Sequence, residues 1–168
     1  MLECIMLVGL PGTGKSTWVK NQKFFDRPDW IVLSTDNYID SVALGSGKTY
    51  SEVFPVAIKD AEKNLKEGLE YAIKAKLNIV WDQTNLSRST RLKKITKVPL
   101  CYRMVARVFP VPDNHAEWLN SAERAGKVIP RHVRDSMRAV YEEPTIYEGF
   151  DEVITSSGLY PIYNVDPV

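Results

Sequence analysis

Residues 9–16 decide the fold, and they read Gly9-Leu10-Pro11-Gly12-Thr13-Gly14-Lys15-Ser16. This octapeptide fits the Walker A pattern G-x-x-x-x-G-K-[ST]. It also stands where the pattern requires, after an apolar run at residues 4–8 and before a helix predicted over residues 15–23. Glycines let backbone N–H groups turn towards phosphate oxygens, and the start of the helix adds the positive end of its dipole. The segment therefore predicts a nucleotide-phosphate loop in an α/β protein.

Two side chains of this loop carry the chemistry that a bound nucleotide needs. Lys15 supplies a positive charge for the β- and γ-phosphates, and Ser16 supplies a hydroxyl for Mg²⁺. We therefore expect ATP and Mg²⁺ as cofactors. The loop residues expected to bind the nucleotide are Gly12, Thr13, Gly14, Lys15, Ser16 and Thr17.

Apolar runs alternate with helical patterns along the rest of the chain. Strands are predicted over residues 4–8, 30–34, 77–81, 100–109 and 152–155. Helices are predicted over residues 15–23, from the capping box Thr49-x-x-Glu52 onwards, over 87–97 and 113–124, and from Pro130 as the first helical residue. This alternation favours the P-loop NTPase/kinase fold, in which helices sandwich a parallel sheet, as a single α/β domain over residues 1–168.

Two aspartates follow predicted strands, Asp36 the second and Asp82 the third. Because the carboxyl ends of parallel strands meet at one edge of a sheet, both should project beside the phosphate loop. Phosphate transfer to a hydroxyl needs one carboxylate to accept the proton and another near the metal. We assign Asp36 as the catalytic base, and Asp82 with Ser16 to the metal site. The alternatives are a cap or turn residue for Asp36 and a loop anchor for Asp82. For Gln83-Thr84-Asn85, a structural role in fixing the loop is favoured.

A cluster of basic residues surrounds a Gly/Pro break late in the chain. The cluster comprises Arg124, Lys127, Arg131 and Arg134. Phosphate transfer places charge on the equatorial oxygens, and an arginine on a mobile segment can stabilise that charge. We interpret residues 124–134 as a basic lid, with Arg124 as the catalytic arginine that also contacts ATP. The alternative is a solvated basic turn.

The net charge of +1 conceals a basic stretch. Residues 86–138 hold twelve Lys/Arg and four Asp/Glu, a local charge of +8. From composition alone, a polyanionic partner and a set of solvated helix faces explain this stretch equally well.

The composition is that of a soluble globular protein, with 44% hydrophobic and 26% charged residues. The apolar runs are too short to span a bilayer, and residues 1–3 lack the basic flank of a signal peptide. Cys4 and Cys101 lie in apolar runs without metal-ligand spacing, and both are predicted to be buried thiols in strands. A cytoplasmic protein with no membrane partner is expected.

Taken together, these residues resemble the polynucleotide kinase family of P-loop phosphotransferases over most of the chain. Besides the phosphate loop continued to Trp18, the matching segments are Ser34-Thr35-Asp36-Asn37-Tyr38, Asp82-Gln83-Thr84-Asn85-Leu86, Asn120-Ser121-Ala122-Glu123-Arg124, Val128-Ile129-Pro130 and Glu143-Pro144-Thr145-Ile146-Tyr147-Glu148-Gly149-Phe150. The segments that begin at Asp82 and Glu143 are more specific than the loop. By resemblance, Asp36 activates the acceptor hydroxyl and Arg124 contacts the phosphates.

One departure bears on the acceptor. Family members that heal nucleic-acid ends carry an arginine where Ile39 stands, and that arginine helps to dock the acceptor strand. The chain is also similar to the phage kinases that phosphorylate 5-hydroxymethyluracil within DNA, which would place it in the host cytoplasm. The resemblance thus implies a nucleic acid acceptor, with DNA favoured over RNA, and leaves a 5′-hydroxyl and a base hydroxyl both open.

Two other classes of function remain as alternatives. A small-metabolite P-loop kinase would share the loop, the carboxylates and the lid. A non-enzymatic nucleic-acid-binding module would share the segment around Asp82, although intact Lys15, Ser16 and Asp36 favour an enzyme. No obligate protein partner is indicated.

Overall fold

Five parallel strands form a single sheet in the computed structural model, which describes residues 1–110 and 126–155. The strands are β1 (Leu2–Val8), β2 (Trp30–Leu33), β3 (Asn78–Trp81), β4 (Tyr102–Val108) and β5 (Glu152–Thr155), in the spatial order β2-β3-β1-β4-β5. The described helices are α1 (Lys15–Asn21), α2 (Thr35–Ser46), α3 (Tyr50–Ala75), α4 (Arg88–Ile95) and α5 (Arg131–Ala139), with 3₁₀ turns at Phe24–Asp26 and Ile146–Glu148. Within these residues, no helix is both long enough and apolar enough to cross a membrane.

The central strand β1 is apolar on both faces because helices cover the sheet on both sides. Cys4 and Met6 face one layer, which is closed by Leu69 and Ala72 of α3. Leu7 faces the other layer, which α1 and the first 3₁₀ turn close. The predicted parallel sheet sandwiched by helices is therefore confirmed, and each predicted strand is present with its bounds shifted by at most two residues.

Helix α2 was not predicted from the sequence. It begins directly after Ser34, whose side chain accepts a hydrogen bond from the backbone N–H of Asn37 and so caps the helix. Its apolar side, which includes Ile39 and Ala43, packs on the first half of α3, and both residues are buried. Helices α2 and α3 therefore form a packed pair, while the second half of α3 covers the sheet.

The predicted capping box opens α3 as expected. The Thr49 hydroxyl accepts from the Glu52 N–H at 3.4 Å, and the Glu52 carboxylate accepts from the Thr49 N–H at 2.7 Å. Pro55 lies within the first turns of the helix, where a missing N–H costs little.

Two local predictions need correction. Cys4 is a buried thiol in β1, but Cys101 is exposed because it lies in the turn before β4 rather than in the strand. Pro130 is the N-cap of α5 and not its first helical residue. The helix predicted over residues 113–124 lies outside the described residues.

A buried ion pair fastens α4 to the segment that precedes β5. Arg91 is fully buried, and its guanidinium binds both carboxylate oxygens of Glu148 at 2.7 Å. One of its nitrogens also donates to the backbone carbonyls of Asn85, Leu86 and Glu142. Glu148 belongs to the Glu-Pro-Thr…Glu-Gly-Phe segment, so the bonded guanidinium fixes this segment to α4.

Replacing Arg91 with methionine should lower the free energy of unfolding by about 3–5 kcal/mol, because it strands the buried Glu148 carboxylate. Urea denaturation measures this loss, and Lys63→Met is the control, since Lys63 forms only an exposed pair with Glu67 at 3.8 Å. Adding Glu148→Gln to Arg91→Met should recover part of the stability, because the stranded charge is then gone. A loss below about 1 kcal/mol in Arg91→Met would contradict this account.

Candidate active site

The phosphate loop joins β1 to α1 at the carboxyl edge of the sheet, where glycine is required for two different reasons. Gly14 caps α1 with φ of 91°, a left-handed conformation that side chains rarely adopt. A Cβ on Gly9 would lie 2.8 Å from the carbonyl oxygen of Phe109 and 2.9 Å from the Thr13 hydroxyl. The loop can keep this shape only with glycine at these positions.

Lys15 is buried at the start of α1. Its ammonium donates to the carbonyl oxygens of Gly9 at 2.9 Å and Leu10 at 2.7 Å. Burial lowers the pKa of Lys15 to about 8, although the negative charges of Asp82 and Asp36 act in the opposite direction. The structure therefore brings both predicted aspartates within electrostatic range of the loop lysine.

Asp82 follows β3 directly and contacts the phosphate loop. The Ser16 hydroxyl donates to its Oδ2 at 3.1 Å, and the carboxylate is buried. Burial raises the pKa of Asp82, while Lys15 and the Ser16 hydroxyl act in the opposite direction. A hydroxyl beside a carboxylate offers the hard oxygen donors that Mg²⁺ takes when substrate phosphates and water complete its shell. The donors present therefore fit the expected metal.

Asp36 lies in the first turn of α2. The alternative that it caps this helix is wrong, because Ser34 is the N-cap. Its side chain is 46% exposed, so a substrate hydroxyl can reach it. Its Oδ1 accepts from the Tyr50 hydroxyl at 2.6 Å, and its Oδ2 pairs with the Lys127 ammonium. No role for Tyr50 was predicted, and Lys127 was predicted as a lid residue without a carboxylate partner.

The loop after Asp82 holds the phosphate loop in place. The Asn85 amide donates to the Leu7 carbonyl at 2.7 Å, and the Gly9 N–H donates to the Thr84 carbonyl at 3.0 Å. Lys94 donates to the side-chain oxygens of Asn85 and Gln83, and its burial lowers its pKa to about 7. These contacts give the Gln83-Thr84-Asn85 segment the structural role that the sequence favoured.

The other predicted site residues are placed as follows. Thr13 is buried, and its hydroxyl donates back to the Leu10 carbonyl at 2.8 Å, whereas Thr17 is exposed on the first turn of α1. Arg124 lies outside the described residues, so its role as the catalytic arginine stays a prediction. Arg131 is exposed and approaches Asp135 of its own helix at 3.8 Å.

Comparison with known proteins assigns most of this chain to one family. Residues 4–144 match the family described as an AAA domain. The matched span contains the phosphate loop, Asp36, Asp82 and the segment from Lys127 to α5.

Individual relatives are distant. Human heterogeneous nuclear ribonucleoprotein U-like protein 2 is 26% identical over 160 residues, which cover 90% of this chain but only 21% of the relative. A chain of the Pnkp1/Rnl/Hen1 RNA repair complex is 21% identical with a TM-score of 0.63, over 82% of this chain and 43% of that one. A gluconokinase from Sinorhizobium meliloti 1021 is 16% identical with a TM-score of 0.52, over 95% and 84%. The chain thus spans about a fifth of the curated relative's length, and the structural likeness shows the fold.

Proposed function

The chain belongs to the AAA-domain family, a family of P-loop kinases. From this premise we propose that it transfers the γ-phosphate of ATP to a hydroxyl group of a nucleic acid, in the manner of a polynucleotide kinase. The observation that carries the proposal is the convergence of Lys15, Ser16, Asp82 and Asp36 at one edge of the sheet. This edge offers a phosphate-binding cation, a metal site and a reachable base.

In the proposed reaction, the acceptor hydroxyl gives its proton to the Asp36 carboxylate as its oxygen attacks the γ-phosphorus. A new oxygen–phosphorus bond forms while the bond from the γ-phosphorus to the bridging oxygen breaks, and ADP leaves with that electron pair. Lys15 stabilises the charge on the phosphate oxygens. Ser16 and Asp82 would hold Mg²⁺, which supplies neutralising positive charge to the β- and γ-phosphates when bound. We keep Arg124 as the proposed lid arginine, with residues 124–134 as the lid.

Surface charge and relatives both support a nucleic acid acceptor. Two of the relatives above are by name a ribonucleoprotein and part of an RNA repair complex. Other cations of the basic stretch make contacts within the fold: Arg91 binds Glu148, Arg103 binds Glu3 and Glu152, Lys94 binds Gln83 and Asn85, and the buried Arg107 lies over the Trp18 ring. The exposed cations on and just after α4 are Arg88, Lys93 and Lys97, and those of α5 are Arg131 and Arg138.

The choice between a strand end and a base hydroxyl depends on the position of Ile39. Family members that heal strand ends carry an arginine at this position, as the resemblance implies. In this chain Ile39 is an apolar residue that is fully buried between α2 and α3. No strand-docking cation can act from this position. We therefore favour a base hydroxyl such as that of 5-hydroxymethyluracil in DNA, with a 5′-hydroxyl of DNA or RNA as the second candidate.

Labelled ATP with a panel of acceptors tests the proposed function. The panel contains 5′-hydroxyl DNA, 5′-hydroxyl RNA, DNA with 5-hydroxymethyluracil, and gluconate as a small-metabolite control. We expect label on nucleic acid, and its position identifies the acceptor hydroxyl. Label on gluconate alone would establish a metabolite kinase. Nucleic acid binding without any transfer would establish a binding module.

Nucleic acid affinity should fall steeply as salt rises, because the exposed cations on and just after α4 would displace counterions from phosphates. Replacing Arg88, Lys93 and Lys97 with alanine should weaken binding and reduce the slope of log K against log salt by about one per lost phosphate contact. Fluorescence anisotropy with labelled DNA measures both quantities. Alanine at Lys59, Lys63 and Lys66 of α3 removes the same charge from another exposed face and is the matched control. Equal losses in the two triple variants would contradict a binding site on α4.

A further inference from the structure

The Asp36 carboxylate is contacted by side chains from two segments outside its own helix α2. The Tyr50 hydroxyl, from the first residue of α3, donates to Oδ1 at 2.6 Å. The Lys127 ammonium, from the segment before α5, pairs with Oδ2. The same ammonium lies 4.0 Å from the centre of the Tyr50 ring. Asp36, Tyr50 and Lys127 therefore form one connected cluster.

The backbone fixes the place of Lys127. The Ser51 N–H donates to the Gly126 carbonyl at 3.0 Å, and the Val128 N–H donates to the Ser51 hydroxyl at 3.1 Å. Gly126 has φ of 82°, and a Cβ there would lie 2.9 Å from the Thr49 side chain. Gly126 and Val128 are therefore both anchored to the start of α3. Lys127 lies between them, and its side chain points to Asp36.

Lys127 also belongs to the electrostatics of the phosphate site. Its positive charge contributes to lowering the pKa of Lys15, and it opposes the rise that burial causes in the pKa of Asp82. Its side chain is 14% exposed, so little water screens it. The charged groups that face one another here are thus two cations, Lys15 and Lys127, and two carboxylates, Asp36 and Asp82.

We propose that Tyr50 and Lys127 are positioning residues for the Asp36 carboxylate, and that Lys127 makes the correct aim of this base depend on the docking of residues 126–128 against α3. A carboxylate has two soft torsions, and donors on both of its oxygens fix its plane. The face that remains exposed then meets the acceptor hydroxyl in one orientation, as proton transfer requires. This inference rests on the proposed function, in which Asp36 is the base.

Steady-state transfer by Tyr50→Phe and Lys127→Met, with ATP varied up to saturation at saturating acceptor, tests the proposal. We expect kcat to fall by about 10-fold and about 30-fold or more, because the base is then free to turn, while KM for ATP stays within about 3-fold. Lys127→Arg should recover most of the loss because it keeps the charge. Tyr71→Phe and Lys63→Met, which remove an exposed hydroxyl and an exposed cation from α3, are the controls.

The pH dependence separates positioning from a purely structural role. Loss of a donor or a cation next to a carboxylate favours its protonated form, so the acidic limb of kcat/KM should move to higher pH in both variants. Carbon-13 NMR of the Asp36 carboxyl should show the same displacement without any turnover. If both variants keep a normal kcat and the titration of the Asp36 carboxyl does not move, the proposal is overturned. If the wild-type protein transfers no phosphate, the proposed function fails, and the NMR titration still decides whether Tyr50 and Lys127 control Asp36.

Discussion

Replacing Lys15 with alanine should abolish phosphate transfer, with a loss of at least about 10²–10³-fold in kcat. The buried ammonium is the cation of the phosphate loop, where it donates to the Gly9 and Leu10 carbonyls. Transfer of label from ATP measures the loss. Lys20→Ala removes an exposed lysine from the same helix and should keep full activity. Undiminished turnover in Lys15→Ala would exclude a phosphate-loop kinase.

Because the pKa of Lys15 is lowered, its contact with the ATP phosphates should also be detectable as proton uptake when ATP binds. With a pKa of about 8, the lysine is half charged at pH 8 in the free protein. Phosphates favour the charged form, so ATP binding at that pH should take up about half a proton. Affinity should accordingly fall as pH rises from 7 to 9, because binding must then protonate a neutral amine. Calorimetry in two buffers of different ionisation enthalpy measures the uptake.

The sheet could be predicted from the sequence because its signals are local. Apolar runs of strand length, the Walker A spacing and the Thr49–Glu52 capping box each lie within a few residues of chain. Helix α2 was missed because no element was assigned between the strand predicted over residues 30–34 and the capping box that begins at Thr49. The signal was present, since Ser34 can cap a helix and residues 38, 39, 42 and 43 repeat at helical spacing.

The site could be predicted only where topology alone decides the geometry. Strand order brings the residues after β1, β2 and β3 together, so Lys15, Asp36 and Asp82 were expected to meet. Lys127 pairs with Asp36 from 91 positions along the chain, through the docking of residues 126–128 on α3. No spacing rule describes such a contact. The pairing of Arg91 with Glu148, 57 positions apart, escaped prediction for the same reason.

Replacing Asp36 with asparagine should keep ATP affinity near normal while transfer falls by about 10²-fold or more, the usual scale for removing a general base. Asparagine has nearly the same size and can still accept a hydrogen bond from Tyr50, but it cannot take the acceptor proton. Its loss of charge leaves Lys127 beside a neutral group, so part of the effect includes misplacement of that lysine. Calorimetric ATP binding and labelled transfer, measured on the same preparation, separate the two quantities.

Asp82→Asn should fail in a different way, and magnesium distinguishes the two carboxylates. Asp82 contacts Ser16 at 3.1 Å in the proposed metal site, so its variant should bind Mg²⁺ more weakly and regain transfer as Mg²⁺ is raised. The Asp36 variant lacks a proton acceptor, which no concentration of Mg²⁺ replaces. Rescue of Asp36→Asn but not of Asp82→Asn would mean that the two roles are reversed. Full activity in both variants would mean that neither carboxylate takes part in the reaction, and that the charged edge of the sheet serves the phosphate loop alone.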